Sequence, residues 1–314
     1  MGHASTTVLF IAGYGRSGST LLAAALGSTA GFFNAGELMH VWAEGVLGDR
    51  ACGCGEPLPS CPVWKAVFED AYGGFDRDLA RRVVSLQAQA TRTRHAFTRG
   101  QGRRRSRIEA ASSELEPILG RLYRSIRTVT GADVVVDSSK VPPYGALLRT
   151  FPSFDVPVLH LVRDPRATAH AWRARKKSEP SRTLPEVGVV RSAMLWTTWN
   201  LVIERSLGGA GSRYEMMRYE DFVDDPVGKL ERVVALAGQP PTTLPFVDRT
   251  TLHLEAGHTV AGNPDRFRIG DVPIRRDEAW RTALSPATRY VVPTLALPAL
   301  RSYGYRWRLN GTAG

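Results

Sequence analysis

An apolar run, Val8-Leu-Phe-Ile-Ala12, passes directly into Gly13-Tyr-Gly-Arg-Ser-Gly-Ser-Thr20, and this junction constrains the fold more than any other segment. A continuous apolar run ending in glycines is the pattern of a strand buried on both faces of a parallel sheet. Thr20–Leu26 then reads as a helix. Strand, glycine-rich turn and helix together make an anion cradle: the unpaired N–H groups of the helix start point at the ligand, and glycines let the backbone approach it. Further strands are expected at Asp133–Val136, Val156–Val162 and Tyr214–Tyr219. Between and around them, helical spacing runs over Trp64–Tyr72, Leu79–Ala96, Ile108–Thr130, Tyr144–Thr150, Ala167–Lys176, Arg191–Glu204 and Pro226–Ala237. Strands alternating with helices predict a three-layer α/β protein whose central parallel sheet is flanked by helices, and the phosphate-cradling loop between the first strand and helix makes it a P-loop fold. Gly48–Pro62 reads as irregular and His253–Arg276 as loop, with two last helical segments at Asp277–Leu284 and Tyr290–Leu297. No repeat or clean linker divides the chain, so residues 1–314 are expected to form a single domain.

The glycine loop satisfies two familiar patterns. Gly13-x-Gly15-x-x-Gly18 fits the dinucleotide fingerprint, with Glu37 near the distance of a ribose-binding acid. That acid should end a second strand, whereas Gly31-Phe-Phe-Asn-Ala-Gly36 holds only two strong strand formers. The same residues fit Gly-x4-Gly-Lys-[Ser/Thr], except that Ser19 stands where the lysine would pair with β/γ-phosphates. A kinase or GTPase is therefore disfavoured. Arg16 instead places a guanidinium inside the loop, where it can grip a tetrahedral anion with several donors.

The set Gly13–Leu22 resembles the 5′-phosphosulfate loop of the sulfotransferase family, whose donor is 3′-phosphoadenosine-5′-phosphosulfate (PAPS). His160-Leu-Val-Arg-Asp-Pro-Arg-Ala167 resembles the family's second signature, in which a strand-end arginine binds the ribose 3′-phosphate. Cys52-Gly-Cys-Gly55 with Cys61-Pro-Val-Trp64, Val136-Asp-Ser-Ser-Lys140, Arg218-Tyr-Glu-Asp-Phe222 and Gly262-Asn-Pro-Asp-Arg-Phe267 resemble segments of bacterial members. These features run in the expected order from residue 8 to about residue 270.

The resemblance implies a donor site made of Gly15, Arg16, Ser17, Gly18, Ser19 and Thr20, with Arg163 on the 3′-phosphate. Independently, Arg163 ends an apolar strand of the same sheet as the loop, at the edge where α/β ligands bind. Its bland alternative is a surface pair with Asp164, worth little. One departure stands out: the family usually carries a serine eight residues after this arginine, and here that residue is Ala171. Thr168, His170 or a C-terminal arginine would have to supply the contact. By analogy, Tyr219, Arg266 and Arg268 are further candidates for the nucleotide. Glu37 is the candidate base for the acceptor hydroxyl, as is a glutamate in a similar Gly-Glu segment of tyrosyl-protein sulfotransferases; its alternative is a helix-start glutamate. Lys140, one of only five lysines, closes a strand segment and can neutralise charge on the leaving phosphate. Arg16, Glu37 and Lys140 are thus the expected catalytic set, and Trp172, Trp196 and Trp199 sit at core-like helical spacing. The implied reaction moves a sulfuryl group from PAPS to an acceptor hydroxyl on a small molecule, sugar, lipid or phenol, without a metal in the chemistry.

Charge leaves rivals open. The chain holds 41 basic and 30 acidic residues, a net +11, which suits an anionic partner but also follows from an Arg-rich, GC-rich bacterial genome. A phosphotransferase or ATP-binding enzyme on the same fold is the first alternative and a basic nucleic-acid-binding protein the second, although no reader module supports the latter. Arg92–Arg107 reads as an exposed connection. No signal peptide or membrane span is expected, and the chain reads as cytoplasmic. Cys52, Cys54 and Cys61 lie within ten residues. They allow plain packing, a local disulfide or a metal site with His40 as fourth ligand, although Cys-x-Cys is tighter than the usual zinc knuckle.

Overall fold

A computed structural model describes residues 5–48, 50–91, 103–173, 177–179, 182–183, 186–209 and 213–307. The chain opens with β1 (Thr6–Ala12), α1 (Ser19–Gly27) and β2 (Phe32–Gly36), followed by helices α2 (Pro62–Tyr72), α3 (Arg77–Ala90) and α4 (Arg103–Thr130). Next come β3 (Val134–Lys140), α5 (Pro142–Leu148), β4 (Phe154–Asp155), β5 (Val158–Val162) and α6 (Pro165–Arg173). Two short strands, β6 (Lys177–Glu179) and β7 (Arg182–Thr183), precede α7 (Val189–Leu207). The remainder is β8 (Tyr214–Arg218), α8 (Tyr219–Asp224), α9 (Pro226–Leu236), β9 (Phe246–Asp248), β10 (Thr251–Leu254), β11 (Gly270–Pro273), α10 (Trp280–Ala283), α11 (Pro286–Leu295) and α12 (Leu297–Leu300). Of the expected Arg92–Arg107 connection, residues 92–102 lie outside the described residues, and so do residues 174–176 of the helix expected to end at Lys176.

The main sheet is parallel throughout, in the order β2-β3-β1-β5-β8, with β4 beside β1. Side-chain alternation along β1 divides the core between two layers. Val8, Phe10 and Ala12 pack with Trp42, Leu119, Tyr123 and Tyr144 on one face. Leu9 and Ile11 pack with Leu22, Leu26, Phe222 and Leu230 on the other. Each such side chain, fully withdrawn from water, contributes about 1.5–3 kcal/mol. The predicted three-layer α/β arrangement is therefore present. Among the described residues, no helix is long and apolar enough to cross a membrane.

Two sequence expectations are corrected. Gly31–Gly36 does contain a strand: β2 pairs with β3 from Phe32 opposite Val134 to Gly36 opposite Asp137, so a buried neighbour overrides the poor strand formers Asn34 and Gly36. A dinucleotide site is still not formed, for a different reason. β2 is separated from β1 by β3, whereas the ribose-binding acid of that fold ends a strand adjacent to the first. The segment His253–Arg276 is not all loop either, because β10 pairs with β11, and with β9, in an antiparallel sheet. Leu252 and Leu254 turn into the core while His253 faces out, 2.7 Å from Asp271. The glycines and prolines between the strands conceal that alternation in the sequence.

Candidate functional site

The parallel strands bring the C-terminal ends of β1, β3 and β5 side by side, and the sequence-predicted residues collect there. Gly18 precedes α1 with φ 91°, and no side chain caps the helix. A Cβ at Gly18 would clash with the Tyr219 ring, so both backbone sign and space favour glycine. The amides of the first turn of α1 are consequently left for a ligand. Two buried polar atoms of the loop, Arg16 Nε and Ser17 Oγ, have no hydrogen-bond partner among the described residues. Leaving such groups unmatched costs about 1–3 kcal/mol each, which an anion in the cradle would relieve. Ser19 is buried and Thr20 half-buried at the start of α1.

Arg16 itself sits at φ 70°, with its guanidinium 5.0 Å over the Trp172 ring. Burial pushes its pKa down, opposed by the charges of Asp265 and Glu37. Lys140 (φ 65°) and Ala261 (φ 54°) are the other non-glycine residues with positive φ among the described residues. Strain of this kind costs about 1–3 kcal/mol per residue and gathers at functional sites. Here all three positions relate to Glu37: Lys140 and Arg16 both feel its charge, and Ala261 follows the residue that holds the Glu37 backbone.

Glu37 leaves the end of β2, its amide donating to Val260 O at 2.8 Å. It stands at the start of a 3-10 turn, Leu38–His40, but its side chain makes no capping hydrogen bond there. Oε1 instead accepts from Lys140 Nζ at 2.5 Å, and His40 Nε2 lies 3.9 Å from Oε2. Lys140 Nζ also donates to Ser138 O at 2.9 Å. Below the pair, fully buried Asp137 accepts from Tyr123 Oη and Ser139 Oγ, both at 2.5 Å, from Ser139 N at 2.9 Å, and from the Leu38 amide. Burial raises the Asp137 pKa, and these donors oppose the rise. Ser139 Oγ also accepts from Met39 N at 3.0 Å. The Asp-Ser-Ser segment therefore ties the turn after Glu37 to the strand end that carries Lys140.

Arg163 follows β5 and is buried. It donates to Arg16 O at 3.2 Å and to Asp277 Oδ2 at 2.9 Å, and lies 4.7 Å over the Tyr219 ring. The alternative pairing of Arg163 with Asp164 is not what is found among the described residues, since Asp164 takes two hydrogen bonds from the Arg166 guanidinium, at 2.9 and 2.6 Å. Burial raises the Tyr219 pKa, with Arg163 opposing. Thr168, a candidate for the contact missing at Ala171, is occupied in donating to Asp164 O. Burial pushes the Asp277 carboxyl up, but the hydrogen bond and charge of Arg163 hold its pKa below the usual carboxylate range. Arg266 is buried and donates to Thr259 O at 2.8 Å and Ala51 O at 2.7 Å. Arg268 is exposed, 3.4 Å from Asp265.

The three tryptophans assigned to packing do more than fill space. Trp172 Nε1 donates to Gly15 O at 3.1 Å, Trp196 Nε1 to Arg163 O at 2.9 Å, and Trp199 Nε1 to Lys140 O at 3.2 Å. Helices α6 and α7 thereby grip the backbone at the loop, at β3 and at β5. His40 is not beside the cysteines; the imidazole there is that of His258. No local pattern marks His258, Asp277 or the indole contacts, because each depends on distant segments meeting.

The family model described as sulfotransferase family matches residues 9–243. Among solved structures, the sulfotransferase domain from the curacin biosynthetic pathway aligns over 98% of this chain and 100% of that one, with 16% identity and a TM-score of 0.56. At that identity the likeness establishes a shared fold. The sulfotransferase domain of the Synechococcus PCC 7002 olefin synthase aligns over 98% of each chain, with 20% identity and a TM-score of 0.48. Comparison with curated proteins gives no match.

Proposed function

The chain belongs to the sulfotransferase family, and we propose that it transfers a sulfuryl group from PAPS to an acceptor hydroxyl, with residues 1–314 acting as one domain. The observation that carries this reading is the Glu37–Lys140 pair at the mouth of a phosphate loop that has Ser19 in place of a triphosphate-binding lysine. The loop's fit to an anion is supported by the unmatched Arg16 Nε and Ser17 Oγ. Gly15–Thr20 holds the 5′-phosphosulfate, and Arg163 with Tyr219 receives the 3′-phosphate end. Glu37 takes the acceptor proton as the new O–S bond forms and the S–O bond to the 5′-phosphate breaks. Lys140 and Arg16 neutralise charge on the departing adenosine 3′,5′-bisphosphate. Such transfer depends on positioning and charge neutralisation, with a placed base worth about 10²–10⁴-fold.

Release of adenosine 3′,5′-bisphosphate from PAPS, followed by chromatography across a panel of hydroxyl acceptors, tests this. Acceptor-dependent release is expected. Turnover of ATP with Mg²⁺ and none of PAPS would instead support a phosphotransferase on this fold.

A further inference from the structure

Three thiols and one imidazole meet on the side of the molecule that backs Glu37. Cys52, Cys54, Cys61 and His258 place their ligand atoms within 4.8 Å of one another. His258 Nδ1 lies 3.2 Å from Cys61 Sγ and 3.9 Å from Cys52 Sγ. Zn–S bonds of about 2.3 Å and Zn–N bonds of about 2.1 Å in a tetrahedron put ligand atoms roughly 3.5–3.8 Å apart, so only a small contraction is needed. We propose that these four residues bind one Zn²⁺ as a closed structural site.

Burial pushes the Cys52 and Cys61 thiols up, and backbone amides around the cluster oppose that rise. The Cys54 amide donates to Cys52 Sγ, and the Val63 and Trp64 amides donate to Cys61 Sγ. Cys61 stands at the N-terminus of α2, where the helix dipole favours an anion. A tight turn, Cys52 N to Glu56 O at 2.7 Å and Gly55 N to Cys52 O at 2.9 Å, folds the Cys-x-Cys segment back on itself. His258 arrives from 197 residues beyond Cys61, its carbonyl fixed by Trp64 Nε1 at 2.9 Å. All three thiols are free, whereas a disulfide would join two of them and leave one thiol beside the imidazole. Plain packing accounts for one thiol–imidazole hydrogen bond, Cys61 to His258, but not for three thiols gathered about that imidazole. Three soft thiolates and one imidazole suit Zn²⁺ over hard cations, and four protein ligands leave no open position for chemistry. Binding would displace the thiol protons.

The site has a mechanical consequence. His258 begins the strap 258–262, in which Val260 N donates to Ala35 O at 2.9 Å and Val260 O accepts from Glu37 N at 2.8 Å. The strap is joined to the cysteine loop again by Gly53 N to Thr259 O at 2.9 Å. A metal there fixes the segment that sets the Glu37 backbone. This last step rests on the proposed role of Glu37; the metal site itself does not.

Metal analysis of the full-length protein, purified under reducing conditions without chelator, is expected to find one zinc per chain. Exchange with Co²⁺ should give the intense visible bands of tetrahedral cobalt thiolate, and chelation should lower Tm by about 5–10 °C. Cys61→Ser and His258→Ala should each lose the metal, whereas His40→Ala should keep it. Measurements on the unaltered protein keep the proposal falsifiable should the variants fail to fold. Reduced protein that takes up neither Zn²⁺ nor Co²⁺, or a Cys52–Cys61 disulfide found by mass spectrometry in the native protein, would overturn it.

Discussion

Lys140 Nζ lies 2.5 Å from Glu37 Oε1, although the two residues are 103 positions apart and sit at the ends of neighbouring strands. Both side chains are more than four-fifths buried, at 16% and 17% exposure, so the contact is not a loose surface pair. Its geometry gives Lys140 two tasks in the proposed reaction: holding the Glu37 carboxylate before the donor arrives, and meeting the leaving phosphate afterwards.

Glu37→Gln is expected to leave adenosine 3′,5′-bisphosphate affinity within about twofold of wild type and to lower kcat by at least about tenfold. Lys140→Ala should lower kcat as well and weaken product affinity, since it removes a cation from the leaving-group side. Isothermal titration combined with steady-state kinetics separates the two. A Glu37→Gln enzyme with normal kcat on the true acceptor would remove the base assignment.

Asp277 occupies a donor of Arg163 with a carboxylate that is about half exposed. An incoming 3′-phosphate must compete with it. Asp277→Asn is therefore expected to tighten bisphosphate binding, by roughly two- to tenfold for the loss of one screened like charge. Arg163→Ala should weaken the same binding by at least about tenfold, the cost of a lost charge-assisted contact. Unchanged affinity in both variants would place the 3′-phosphate elsewhere.

The indole contacts predict a division of effects. Trp196→Phe removes the donor to Arg163 O and should raise the dissociation constant for the bisphosphate, whereas Trp199→Phe removes the donor to Lys140 O and should act on kcat. Each hydrogen bond is worth about 1 kcal/mol, or roughly fivefold. Equal losses in both parameters, tracking Tm, would mean that the tryptophans only pack.

His160 supplies a pH dependence of stability. It is fully buried in β5, bonded to Tyr214 Oη at 2.7 Å and Asn200 Oδ1 at 2.8 Å, and burial pushes its pKa down from 6.5 to about 4. Below 6.5 the unfolded chain takes up a proton that the folded chain refuses, so this contribution is intact above 6.5 and is lost as the pH falls toward 4. The full loss is about 3 kcal/mol. Denaturant unfolding of wild type and His160→Gln should give stability curves that converge across that window; parallel curves would contradict the assignment.

Much of the candidate site is legible in the sequence because its parts are local. The loop Gly13–Thr20, the strand-end Arg163 and the Asp-Ser-Ser-Lys140 segment each carry their chemistry within a few consecutive residues. What escaped was relational. β2 escaped because Asn34 and Gly36 are poor strand formers, and pairing with β3 decides the matter. His258 escaped because a lone histidine in a segment read as loop gives no sign of three cysteines 197 or more residues earlier. Motif likeness points to Arg266 as a nucleotide contact, whereas its guanidinium donates to the Thr259 and Ala51 carbonyls.

Calorimetric titration with adenosine 3′,5′-bisphosphate, run beside ATP with Mg²⁺ and beside NADH, tests the central claim most directly, because it requires no knowledge of the acceptor. The account predicts micromolar binding of the bisphosphate that weakens in Arg16→Ala and Arg163→Ala. No binding of the bisphosphate, with tight binding of ATP or NADH, would contradict a PAPS-dependent enzyme.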